Sequence, residues 1–83
     1  MSAHTPHELA DAFPRDAETL HRLKMTDAHF ARLAARHHDV NREIHRIECG
    51  AEAAGDERLE ALKKERLALL DQIAAILEDV PAG

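Results

Sequence analysis

An 83-residue chain is one small domain at most, and a chain this short struggles to bury enough surface without a disulfide, a metal or a second copy. Cys49 is the single cysteine, which excludes an internal disulfide, and two phenylalanines with no Trp or Tyr leave a core of Leu, Ile, Val and Ala. With 11 Lys and Arg against 16 Asp and Glu, the net charge of -5 argues against non-specific attraction to nucleic acid or anionic lipid.

Thr5 opens the chain's first helix as an N-cap, with Pro6 at the first helical position and Glu8 closing a capping box. That helix is short, because Phe13 precedes Pro14 and is pushed toward extended geometry. Residues 1–15 thus read as an N-terminal extension carrying one short helix. A second short helix is expected from about Asp16 to Lys24, with Leu20 and Leu23 on one side. Thr26 and Asp27 are both good N-caps for a long helix over about 27–48, and Gly50 is a natural terminator. Asp56 is the expected N-cap of a second long helix over about 56–80, stopped by Pro81. At 1.5 Å per residue each long helix measures roughly 33 Å. Residues 16–80 form the hairpin domain and 81–83 a tail.

Two seams at alternating 3-4 spacing fix the architecture. The first runs Phe30, Leu33, His37, Val40, Ile44, Ile47, and the second Leu59, Leu62, Arg66, Leu69, Ile73, Ile76, Val80. The six-residue, glycine-bounded stretch from Gly50 to Gly55 makes the two helices antiparallel neighbours. Counting outward from it pairs Ile47 with Leu59, Ile44 with Leu62, Val40 with Arg66 and His37 with Leu69. The fold class is all-α: an antiparallel helical hairpin with coiled-coil packing, preceded by a short N-terminal helical segment.

The second long helix carries more apolar surface than one partner covers. Leu67, Leu70, Ala74 and Leu77 lie beside its main seam and widen the apolar arc toward half the circumference. Either Leu20 and Leu23 fold back over this stripe, or another copy of the hairpin does. Self-association into a bundle of at least four long helices is the expectation, with this stripe as the oligomer or partner surface.

His37 and Arg66 are polar residues within the seams, near mid-hairpin. Polar groups at such positions set register and oligomer state at some cost in stability, so Arg66→Leu is expected to preserve or raise stability. The Arg66 head can snorkel to the rim, where Asp39 or Glu43 could receive it. A pH-responsive His37 is the sharper alternative. His38, Asn41 and His45 share a strip beside the seam. His38 and His45 are two turns apart, roughly 10.5 Å of rise, too far to hold one ion on a single helix. No metal, cofactor or catalytic residue is therefore assigned, and a two-helix rod offers no deep concave pocket.

The outer face of the first long helix carries Arg32, Arg36, Asp39, Arg42, Glu43 and Arg46, with opposite charges at i,i+3 spacing. A solvated, ion-paired face is the simpler reading. Nucleic-acid association through Arg32, Arg36, Arg42, Arg46, Lys63 and Lys64 is the alternative, weakened by the intervening acids and the absence of aromatics. Cys49, beside the turn, reads as a half-exposed thiol in a reducing compartment. No run approaches the roughly 20 apolar residues that span a bilayer, and the first residues lack the basic and apolar regions of a signal peptide. A cytoplasmic location is expected.

At Leu20-His21-Arg22-Leu23-Lys24, Asp27-Ala28-His29-Phe30, His38-Asp39-Val40-Asn41, Glu43-Ile44-His45-Arg46-Ile47-Glu48 and Leu59-Glu60-Ala61-Leu62-Lys63-Lys64, the chain resembles the YdcH-like family of small bacterial proteins of unknown function. The likeness covers about Leu20 to Leu77 and leaves out the extension from Thr5 to Pro14. It implies a helical hairpin in the bacterial cytoplasm and no established activity. The functional expectation is a non-enzymatic interaction module that self-associates and docks a protein partner.

Overall fold

A computed structural model describes residues 8–80. Its elements, in chain order, are α1 (Leu9–Ala12), a 3-10 turn (Pro14–Asp16), α2 (Ala17–Thr26), α3 (Ala28–Glu48) and α4 (Asp56–Asp79), with no strand among the described residues. The expected Thr5 cap and Pro6 lie outside those residues. Glu8 itself caps α1, in a reciprocal capping box with Asp11, whose carboxylate accepts from the Glu8 N–H at 3.2 Å. Phe13, held out of helical geometry ahead of Pro14, ends α1.

Of the two candidate caps for α3, Asp27 is the one used. Its side chain accepts from the Phe30 N–H at 3.1 Å, while the Thr26 hydroxyl donates back to the Arg22 carbonyl at 2.8 Å within α2. The far end of α3 closes as a Schellman motif: Gly50 N–H donates to the Ile47 carbonyl and Ala51 N–H to the Arg46 carbonyl. That motif needs a left-handed residue, and Gly50 supplies it at φ 84°. Gly55, not the expected Asp56, is the N-cap of α4. Asp56 moves into the first turn beside Glu57, where both carboxylates face the positive end of the helix dipole.

The α3–α4 pair is antiparallel, with its core divided in two. At the loop end Val40, Ile44, Leu62 and Leu69 are buried, with Ile47 and Leu59 packed against them. At the open end Leu9, Leu20, Phe30, Ala34 and Ile73 form the second cluster. Leu9 and Leu20 belong to the N-terminal helices, which fold back over the hairpin. Phe13, Leu23, Leu70, Ile76 and Leu77 are partly buried against this cluster. The short helices therefore complete the open end, where two long helices alone leave Phe30 and Ile73 uncovered.

Candidate functional site

Polar residues interrupt the core where the two clusters meet. His37 and Asn41, one turn apart on α3, are buried at 0% and 1% exposure. Arg66 enters from α4, and its Nη1 donates to Asn41 Oδ1 at 2.8 Å. The receiver is thus a neutral carboxamide, not the expected Asp39 or Glu43; Glu43 pairs with Arg58. Helix geometry explains the choice. Asn41 sits next to the seam and turns inward, while Asp39 is exposed on the outer face.

Among the described residues, neither ring nitrogen of His37 has a hydrogen-bond partner. Burial is the main cause holding its imidazole below the ordinary histidine value; Glu8 opposes that shift, and Arg66 and His38 reinforce it. A neutral ring follows, with one N–H and one bare nitrogen to satisfy.

His37 also lines a cavity of about 490 Å³ between the N-terminal helices and α3. Leu20, Ala31 and Ala34 form part of its apolar wall, whose small side chains leave the space between the helices unfilled. Exposed His21, Lys24 and His38 stand around it, together with half-buried Glu8. Glu8 Oε1 lies 3.5 Å from His38 Nδ1. Sequence reasoning did not find this cavity, because its walls come from helices whose mutual placement no periodicity specifies. Alanines 31, 34 and 35 on α3 were the one available signal.

The histidine strip does not act as a unit. Asn41 faces α4, His38 faces Glu8, and His45 is exposed. Among the described residues no three His, Cys, Asp or Glu side chains gather as a metal site. Cys49 is exposed.

Ion pairs cross the hairpin rather than following the i,i+3 spacing of α3. Arg36 grips Glu65 with two hydrogen bonds, Nε to Oε2 at 2.6 Å and Nη2 to Oε1 at 3.0 Å. That bond and charge hold the Glu65 carboxyl below its ordinary value and raise Arg36 further. Glu43 pairs with Arg58 and Glu48 with Lys63 at 3.0 Å, while Arg46 meets Glu52 at 3.4 Å. The register counted from the loop sets Arg36 opposite Leu70, so the pairing with Glu65, more than one turn away along α4, was not legible from that count.

The α4 stripe divides after folding. Leu70, Ala74 and Leu77 are half-buried, whereas Leu67 remains 60% exposed. Met25, at the end of α2, is 75% exposed. No helix among the described residues is long and apolar enough to cross a membrane.

Comparison with curated proteins and with solved structures gave no match. A family model described as "Protein of unknown function (DUF465)" matches residues 30–77, which take in all but the first two residues of α3, the turn and most of α4. The match leaves the cavity-forming helices α1 and α2 outside it. YdcH-like proteins fall within the same family, in agreement with the resemblance carried by the sequence motifs. By this match over more than half of its length, the chain belongs to the DUF465 family of proteins of unknown function.

Proposed function

We propose that this chain is a non-enzymatic coiled-coil interaction module of the bacterial cytoplasm, which self-associates through α4 and presents the resulting bundle to a protein partner. The observation that carries the reading is Leu67. It stays 60% exposed beside half-buried Leu70, Ala74 and Leu77 after the N-terminal helices have covered what they reach. Burying a leucine is worth about 1.5–3 kcal/mol, a large share of the stability of a domain this small. A second α4 laid against this stripe would supply that burial, with a like stripe on both sides of a two-fold interface.

Light scattering after gel filtration at micromolar concentration tests the assembly. Wild type should run as a multiple of 9.3 kDa. Leu67→Asp should run as a monomer with unchanged helicity, because an exposed residue can change without disturbing the fold. A wild-type monomer would overturn self-association. Pull-down with the same pair of proteins reads the partner surface; recovery of the same proteins by both would place docking elsewhere. Nucleic-acid association is the weaker reading, because Arg36, Arg46 and Lys63 are each engaged with a carboxylate. Binding to RNA or DNA that steepens as salt is lowered would reinstate it.

A further inference from the structure

The cavity beneath the N-terminal helices has the size of a small-molecule site, within the roughly 300–1,000 Å³ range of ligand pockets. A void of this kind in a loosely covered core would be unremarkable if its walls were uniformly apolar. They are not. His37 lies fully buried beside it, and among the described residues both ring nitrogens are unpartnered, a cost that a well-packed apolar side chain would avoid. Among the described residues around the cavity, Lys24, His21 and His38 stand with one carboxylate, Glu8, which already faces His38 at 3.5 Å. Counted as in the net charge of -5, with histidines neutral, Lys24 and Glu8 balance, and the Lys24 ammonium is the fixed positive charge among the described wall residues. An apolar wall, a buried imidazole N–H and a lysine ammonium at the rim together describe the two halves of an amphiphilic anion.

We propose that this cavity binds a small monocarboxylate with a short apolar body, its carboxylate meeting Lys24 at the rim and reaching the fully buried His37 ring as the cavity floor parts, and its body lying against Leu20, Ala31 and Ala34. The carboxylate accepts from the imidazole N–H, and its charge favours uptake of a second proton by the ring. The charged groups that face His37 from the packed elements are Glu8 ahead of α1, His38 on α3 and Arg66 on α4. Lys24 and His21 of α2 share the cavity wall. Arg66 is committed to Asn41, so the new anion adds charge on the side opposite that pair. The proposal is independent of self-association, since Leu67 does not line the cavity.

Octanoate is the probe, with octanol as its uncharged counterpart. The His37 ring nitrogens and the Ala31 and Ala34 amides are followed by nitrogen-edited NMR of the full chain. Saturable shifts at these positions are expected with a dissociation constant on the order of 1 mM, and the His37 pKa should rise on saturation. Lys24→Ala, a change at an exposed side chain, should weaken octanoate about five-fold and leave octanol unchanged. Ala31→Leu should fill the cavity and abolish binding of both probes. Absence of a saturable His37 shift overturns the site, as do shifts confined to Leu67 and its neighbours. Equal binding of octanoate and octanol overturns the anionic assignment. If Ala31→Leu fails to fold, the Lys24→Ala comparison still decides.

Discussion

Arg66 on α4 donates to the carboxamide oxygen of Asn41 on α3 at 2.8 Å, in a site where Asn41 is 1% exposed. This bond is the one polar tie that crosses the hairpin core among the hydrogen bonds described. Sliding α4 by a turn would separate the two, setting the guanidinium toward Ile44 in one direction and toward the buried His37 ring in the other. The pair therefore specifies register as a buried polar residue in a coiled-coil seam does.

The bond reverses the expectation that Arg66→Leu is harmless. The substitution leaves Asn41 Oδ1 without this donor in a place closed to water. It should cost about 1–3 kcal/mol in urea unfolding. Joint replacement, Arg66→Leu with Asn41→Leu, should recover most of that loss, because both polar partners then leave together. A double variant no better than the single one would show that Asn41 serves the fold in another way.

His37 should make the fold acid-sensitive. Its folded value lies below the ordinary 6.5, so the unfolded chain binds the proton more readily. The stability contributed by the neutral ring is full above 6.5 and declines as pH falls below it, until the folded ring also protonates. Thermal melts across this window should show a falling midpoint in wild type. His37→Leu should flatten the slope and raise the midpoint at neutral pH, since it exchanges an unpartnered imidazole for apolar volume. An unchanged slope in the variant would assign the acid sensitivity to other groups.

Arg36 and Glu65 make a well-formed but exposed pair, screened by water and salt. Arg36→Gln should lower the melting midpoint slightly at low ionic strength and hardly at all in molar salt. Because Glu65 is held below its ordinary carboxyl value of 4.5, the pair's contribution is present above that pH and is lost as pH falls through the folded value. A difference that persists in high salt would mean that the arginine stem packs rather than pairs.

The two loop glycines should respond oppositely. Gly50 holds φ 84°, so Gly50→Ala should cost about 1–2 kcal/mol although open space surrounds it. Gly55 caps α4 in extended geometry without a side-chain bond, and Gly55→Ser should stabilise by a few tenths of a kcal/mol. Chemical denaturation measures both. A neutral Gly50→Ala would show that the Schellman turn relaxes without penalty.

The hairpin follows from local rules that can be read along the chain. Alternating 3-4 apolar spacing, Asp27 at the start of α3, Gly50 at its end and a loop too short to cross over leave one arrangement, since each rests on local geometry. Boundaries of α2, α3 and α4 were legible to within a residue or two, with the cap of α4 displaced from Asp56 to extended Gly55, whereas α1 starts at Leu9, three residues past the expected Pro6. Only tertiary structure decided what the polar and peripheral residues do. Arg66 chose Asn41 over nearby carboxylates, Arg36 reached across to Glu65, and α1 and α2 folded back to bury Leu9 and Leu20 and to wall one side of the open cavity beside His37. Periodicity gives the face on which a side chain stands; it does not give the depth at which a neighbouring helix docks. That depth follows from how side chains of different volume fill the space between helices, and here small alanines left part of it open.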